Sequence, residues 1–246
     1  LVTNSEPYLG KSLGGGEDIL VILFTSGTTG YPKGAKISHR AFIYRALYFV
    51  FEYNIDKKDT FPAWAPMFHM ASTDLSIGSL LIGGSVAIVD GFDSTLLMNL
   101  IKKYKLSWLV LMPGMLEEFI NFIDGKKIQV KGIKAMGAMA DLIPKNQIKT
   151  ITSLLDTPYL NSFGSTETGM PPASKGIIEK NKNNFSLSKV QSSFCEVKLV
   201  RNNKEVGYEK PGECAVRGPT LFSGYWDAEE TNLKDFRGGW FHMGDM

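Results

Sequence analysis

The sequence predicts an α/β fold of largely parallel sheets flanked by helices, followed by a smaller β-rich lobe. Between about Ile19 and Phe163, short apolar runs alternate with longer segments of helical pattern, the signature of βαβ units on a parallel sheet. After about Lys180 helical periodicity disappears, and short strand-like runs are separated by Gly, Pro and Asn. With 246 residues, 43% of them hydrophobic, the chain can bury a large core in one or two domains. The expected division is an α/β core over residues 1–180 and a β-rich lobe over 181–246.

Each element has its own justification. "ILVILF" (19–24) reads as a buried strand, because its apolar run is continuous. "AFIYRALYFVFEY" (41–53) has helix length, with Ser38 as N-cap, and His39 falls in its first turn as an ordinary residue. "SVAIVD" (85–90) is a strand, "STLLMNLIKKY" a helix and "SWLVLM" a strand. "GMLEEFINFI", "GIKAMG", "PKNQIKTITSLL" and "YLNSFG" continue the alternation. "IIEKNKNNFSLSK" is a connecting loop, and "FCEVKLV", "GECAVRG" and "GWFHM" are the strands of the lobe. Ligands of parallel sheets gather at the carboxyl ends of the strands.

Charge and composition exclude several classes. The net charge is +2 with both signs interspersed, and lysines cluster only in pairs, so nothing points to a nucleic-acid partner. No apolar span approaches the ~20 residues of a transmembrane segment, and no stretch of the sequence reads as a signal peptide. Cys195 and Cys214 have no metal-ligand spacing and read as structural thiols of a reducing, cytoplasmic compartment. The residues leave the oligomeric state open. The chain begins at Leu1 rather than Met, which suggests a piece of something longer.

The most informative stretch is "TSGTTGYPKG" (25–34). It follows a strand, and Gly27, Gly30 and Gly34 permit backbone shapes that bring amides close to a ligand. Thr25, Ser26, Thr28 and Thr29 add hydroxyls, and Lys33 adds a mobile cation. That set suits an oligophosphate, with a flexible Gly/Thr hairpin as the bland alternative. It is not a Walker A loop, since G-x-x-x-x-G-K-[ST] fits nowhere and Pro32 with "GAKIS" favours a strand over a helix. Gly10-Lys11-Ser12-Leu13-Gly14 matches the hydrolase elbow only by pattern; without a buried strand before it, it is a polar loop.

Three separated stretches share one resemblance. "FTSGTTGYPKGAKISH" resembles the phosphate-loop signature of the adenylate-forming superfamily: acyl-CoA synthetases, coumarate-CoA ligases, luciferases and peptide-synthetase adenylation domains. "NSFGSTETG" (161–169) resembles its aromatic-G-x-T-E motif. "GECAVRGPTLFSGYWDAEETNLKDFRGGWFHMGD" (212–245) resembles its third segment, and the order and spacing agree over nearly the whole chain. The fold implied is that of an acyl-CoA synthetase N-terminal domain.

The resemblance implies roles for individual residues. Thr25, Ser26, Gly27, Thr28, Thr29, Gly30 and Lys33 would hold the β- and γ-phosphates of ATP, with Lys33 mattering most in the first half-reaction. Phe163 stands where relatives stack tyrosine on adenine; it keeps the π-face and loses the hydroxyl. Gly164 would let the backbone pass close to the nucleotide, Thr166 would donate to the α-phosphate, and Glu167 would hold Mg²⁺. Read without the family, "STET" is a turn or a helix cap. Asp245 matches an aspartate that accepts the ribose hydroxyls, although Met243 replaces the usual threonine beside it. "APMFHMAS" resembles the P-L-F-H segment and places His69 at the mouth of the carboxylate pocket, with a loop histidine without chemistry as the alternative. An aspartate would serve an amino-acid substrate there, and His69 cannot supply its fixed charge. "MGAMADLIP" stands where relatives have G-G-A-P; Gly137 fits, while Ala138, Met139 and Ala140 depart and alter the wall of the acyl pocket.

The implied chemistry is attack of a small-molecule carboxylate on the α-phosphorus of ATP, then capture of the acyl-adenylate by a thiol, that of coenzyme A. A simple NTPase or kinase and a non-catalytic nucleotide-binding module are the competing readings. The family's C-terminal domain is absent from this chain, which resembles the central and nucleotide-binding portion of a longer enzyme. Alone it is expected to bind nucleotide weakly and turn over poorly.

Overall fold

A computed structural model describes residue 6 and residues 9–25, 31–207 and 209–246. The first elements form a hairpin, β1 (Ile19–Thr25) running antiparallel to β2 (Lys33–Ser38). Ser38 caps α1 (His39–Tyr53): its Oγ accepts from the Ala41 amide at 3.3 Å, and Asn54 closes the helix in a left-handed conformation. The alternating region follows, as β3 (Thr60–Ala63), α2 (Met70–Leu81), β4 (Ser85–Ile88), α3 (Ser94–Lys103), β5 (Leu106–Leu109), α4 (Met115–Ile123), β6 (Ile133–Met136), α5 (Lys145–Leu154) and β7 (Tyr159–Leu160). A second hairpin, β8 (Phe163–Ser165) with β9 (Gly169–Ala173), leads to β10 (Ile177–Ile178). The remaining elements are β11 (Glu196–Arg201), β12 (Lys204–Glu205), β13 (Glu213–Arg217), α6 (Glu229–Asp235), β14 (Phe236–Arg237) and β15 (Trp240–His242).

The strands build a six-stranded sheet in the order β10-β7-β6-β5-β3-β4, with every pair parallel except β10 against β7. Helices cover it, and Phe61, Leu97, Ile101, Leu106, Phe119 and Ile148 fill the main core. The lobe is a five-stranded antiparallel sheet in the order β12-β11-β13-β15-β14. A second core joins chain ends far apart in sequence: Leu23, Ala35, Ile37 and Phe42 pack with Cys195, Cys214, Val216, Phe222 and Phe241. The early hairpin therefore leans on the lobe.

The expectation for residues 19–24 needs correction. This run is a strand, but it belongs to a two-stranded hairpin outside the parallel sheet, and only Leu23 is buried, while Phe24 is 70% exposed. A continuous apolar run ordinarily marks a strand covered on both faces; here a single face meets the second core. Helical structure also continues past Lys180, since α6 makes two turns, and Ile177–Ile178 of the expected loop adds a strand to the large sheet. β3 and α2 were not legible as elements. Residues 10–14 carry no regular element and are exposed, as expected of a polar loop.

Among the described residues no helix is long and apolar enough to cross a membrane. Both cysteines are free and buried in the second core, where burial pushes the thiol of Cys195 up to about 12 and that of Cys214 up to about 11. At pH 8 each is then overwhelmingly the unreactive thiol. A chromogenic disulfide reagent is expected to titrate neither cysteine in the folded protein at pH 8 and both in denaturant; rapid labelling of either in the folded state would show the second core to be open.

Candidate functional site

Parallel strands deliver their following loops to one edge of the sheet. His69 comes after β3, Gly137–Met139 after β6, and Phe163–Glu167 after β7, so all three stretches leave the sheet at its carboxyl edge. Lys33 arrives from elsewhere, at the start of β2 and opposite Thr25. The strand–loop–strand geometry around it is not that of a Walker A loop. Ser26, Gly27, Thr28, Thr29 and Gly30 lie outside the described residues.

"STET" is a turn that also displays functional groups. The Thr168 amide donates to the Ser165 carbonyl at 3.2 Å, and the Thr168 hydroxyl accepts from the Ser165 amide at 3.0 Å. Thr166 and Glu167 occupy its two central positions, half-buried, between β8 and β9. Gly164 is required by the hairpin itself, because a Cβ there would lie 2.1 Å from the Gly169 carbonyl oxygen. Its close backbone approach is thus to β9 before it is to any ligand.

The turn is fixed by a group the sequence reading did not single out. Arg45, fully buried on α1, donates from Nη2 to the carbonyls of Thr166 (3.0 Å) and Glu167 (3.2 Å). Its Nε donates to the Thr220 carbonyl at 3.0 Å, and Nη1 donates to both carboxylate oxygens of buried Asp74 on α2, at 3.3 and 3.1 Å. Burial pushes the Asp74 carboxyl up, and the guanidinium opposes that shift. A signal was present in the sequence: Arg45 sits in the apolar stripe Phe42, Ala46, Phe49 of its helix, and Asp74 is the lone charge of "MASTDLSIGSLL".

A second unforeseen residue links the two groups expected to meet a nucleotide. The Tyr225 hydroxyl donates to Glu167 Oε1 at 2.8 Å, and the Lys33 ammonium lies over the Tyr225 ring, 4.7 Å from its centroid. Glu167 Oε2 has no hydrogen-bond partner among the described residues. Asp245 closes the same neighbourhood: its carboxyl is raised by partial burial first and by the charge of Glu167 second. Main-chain bonds hold it there, the Cys214 amide donating to the Asp245 carbonyl at 2.8 Å and the Met243 amide to the Cys214 carbonyl at 3.0 Å. Phe163 is half-buried against the second core.

At the sheet edge, His69 is exposed and caps α2, its Nδ1 accepting from the Ala71 amide at 3.1 Å. Nε2 is left without a partner among the described residues. Gly137 has φ +74°, and a Cβ there would fall 2.1 Å from the Tyr159 ring. The Tyr159 hydroxyl donates to the Ala138 carbonyl at 2.9 Å, and Met139 takes a left-handed φ of 47°. That conformation costs a non-glycine residue ~1–3 kcal/mol, so this wall is tightly shaped. A shallow cavity of about 490 Å³ lies on the outer flank of Lys33, lined by Ile22, Phe24, Pro32 and Trp226. None of His69, Gly137–Met139 or Glu167 borders it, which separates it from the sheet-edge site.

A family model described as AMP-binding enzyme matches residues 8–226. The chain belongs to the AMP-binding enzyme family. Among curated relatives of this AMP-binding chain, a 2-succinylbenzoate–CoA ligase of Geobacillus sp. (strain WCH70) is 25% identical over 235 residues, 94% of this chain and 46% of the relative. An indoleacetate–CoA ligase of Aromatoleum aromaticum is 25% identical over 229 residues, 92% of this chain and 44% of the relative. The chain thus spans about half the length of the curated relatives it matches. A solved o-succinylbenzoate coenzyme A synthetase from Bacillus subtilis, in complex with ATP and magnesium ion, shares the fold with a TM-score of 0.79 at 20% identity, covering 94% of this chain and 47% of that one.

Removing the Arg45 side chain would strand Asp74 and three carbonyls in the interior. Arg45→Met is expected to cost about 3–5 kcal/mol of unfolding free energy, measured by denaturant titration. A loss below about 1 kcal/mol, the level of an exposed pair, would show that the guanidinium is not the clamp described.

Proposed function

We propose that this chain is the nucleotide- and acyl-binding portion of an acid–thiol ligase, which activates a carboxylic acid with ATP and passes the acyl group to coenzyme A. The observation that carries this reading is the meeting of Lys33 and Glu167 on opposite parts of one phenol, Tyr225. A cation and a carboxylate brought together from distant stretches suit a metal-bound oligophosphate. Family membership and the ligase names of the relatives support the same chemistry.

In this reading Lys33 binds the β- and γ-phosphates and neutralises charge that develops on departing pyrophosphate. Thr166, whose carbonyl Arg45 pins, donates its hydroxyl to the α-phosphate. Phe163 offers a ring face to adenine, and Asp245 accepts from the ribose hydroxyls. Thr25 and the loop 26–30 complete the phosphate cradle, and Gly164 admits the nucleotide beside the turn.

Glu167 fits a magnesium ion: one carboxylate oxygen is fixed by Tyr225, and the other has no partner among the described residues. No cluster of three or more acidic, His or Cys ligands exists among those residues. One carboxylate plus substrate phosphates is the usual protein share for magnesium, where all-protein cages are rare. When bound, the ion would supply charge neutralisation at the phosphate oxygens.

His69, with Nδ1 engaged by the helix it caps, presents Nε2 toward an incoming carboxylate. Gly137, Ala138 and Met139 form the acyl wall, held rigid by Tyr159. Cytoplasmic location belongs to the same reading, as does the division of the chain near residue 180.

Exchange of labelled pyrophosphate into ATP by the full-length protein tests the proposal. Carboxylate-dependent exchange is expected, and Glu167→Ala should lower it by on the order of 100-fold. A kinase would show no exchange and a binding module only nucleotide affinity; either result would overturn the reading, and undiminished exchange in the variant would overturn the role of Glu167.

A further inference from the structure

Tyr225 touches no substrate in the activity proposed above, yet it is among the most firmly held side chains near the site. Its ring is 4% exposed and packs edge-on against Phe222, with centroids 4.8 Å apart. Phe222 in turn contacts Phe236 and Phe241, at 5.4 and 4.9 Å. The backbone is fixed as well. Residues 223–226 lie along the free edge of β2: the Lys36 amide donates to the Gly224 carbonyl at 3.0 Å, the Ser223 amide to the Lys36 carbonyl at 2.8 Å and the Trp226 amide to the Gly34 carbonyl at 2.7 Å. Asn232 closes a ring around Tyr225, its Oδ1 accepting from the Tyr225 amide at 2.7 Å and its Nδ2 donating to the Tyr225 carbonyl at 3.0 Å. Such investment of main-chain and aromatic contacts holds one phenol to within a rotamer.

What that phenol touches is specific. Its hydroxyl reaches one oxygen of Glu167, and its face lies under the ammonium of Lys33. The Phe222 amide also donates to the Glu167 carbonyl at 2.8 Å, so backbone and side chain of the glutamate are both referred to the same segment. A carboxylate on a turn has free χ angles unless something restrains them. A hydrogen bond to a charged group is the strong kind, and a cation over an aromatic face adds to it.

We infer that Tyr225 is the positioning residue of the nucleotide site, orienting Glu167 through its hydroxyl and Lys33 through its ring so that both address one oligophosphate. The inference rests on the ligase reading for the identity of the ligand and goes beyond it in assigning the geometry to a side chain outside the phosphate loop and the "STET" turn. Two functions of one phenol are separable: Tyr225→Phe removes the hydroxyl and keeps the ring, while Tyr225→Leu removes both.

The test uses the full-length protein and a binding readout. Manganese uptake in the presence of ATP is followed by the loss of the free-ion paramagnetic resonance signal, and ATP affinity without metal is measured by calorimetry in chelator. Tyr225→Phe is expected to weaken manganese uptake about tenfold and to leave metal-free ATP affinity within about twofold. Tyr225→Leu should weaken metal-free affinity as well, by about threefold. Against a Glu167→Gln background, Tyr225→Phe should change manganese uptake by less than about twofold, because the hydroxyl acts through that carboxylate. Equal losses in both backgrounds, or equal losses of both affinities in Tyr225→Phe, would mark a structural role and overturn the inference. Wild-type uptake with both variants unaltered would overturn it while leaving the ligase reading intact. Absence of any nucleotide binding by the wild type would sink the ligase reading and this inference together.

Discussion

A single buried guanidinium organises the site. Arg45 directs all its donor nitrogens inward, to Asp74, to the carbonyls of Thr166 and Glu167, and to that of Thr220. Four chain stretches, α1, α2, the β8–β9 turn and the segment entering Tyr225, are therefore referred to one rigid planar group. Taking two charges out of water is costly, and their mutual attraction offsets that cost only with excellent geometry and full satisfaction of the remaining donors. Here every guanidinium nitrogen is engaged, with Nη1 reaching both Asp74 oxygens at 3.1 and 3.3 Å. A lysine could not substitute, since a point charge with three donors does not reproduce the fork.

From that anchor the rest follows by proximity. The turn carrying Thr166 and Glu167 is held against the lobe, whose segment 223–226 lies along β2, and β2 begins with Lys33. Neighbouring Arg40 reinforces the joint by donating to the Leu221 carbonyl at 3.4 Å and to that of Pro219 at 2.5 Å. The second hydrophobic core lies beneath this joint and explains why the early hairpin leaves the large sheet: Leu23, Ala35 and Ile37 are needed against Phe222 and Phe241. The catalytic arrangement proposed here is thus built at the seam between a parallel α/β layer and an antiparallel lobe.

Much of this was legible in the residues. The alternation of apolar runs and helical segments located most of the large sheet, and Ser38 announced the start of α1. The "STET" segment was readable both as a turn and as a site, and it is a turn with two polar side chains at its corner. Residues 19–24 misled because continuous apolarity does not say how many faces are covered. Strand β3 escaped notice because "TFPA" is short and contains proline, and α2 because "MASTDLSIGSLL" is rich in small polar residues that turn out to be buried. Which groups Arg45, Asp74 and Tyr225 would meet was out of reach for another reason. Their partners in the site lie 29 residues (Arg45 to Asp74) to 192 residues (Tyr225 to Lys33) away along the chain, and a single sequence does not report which distant groups meet.

The central claim is that Lys33 and Glu167 face one oligophosphate. A crystal structure with ATP and manganese, read by the anomalous signal of the metal, tests it most directly. The account predicts a peak about 2.0–2.2 Å from Glu167 Oε2, with phosphate oxygens shared between that ion and the Lys33 ammonium. A metal–nucleotide complex seated on another surface, or one that contacts only one of the two side chains, would contradict it.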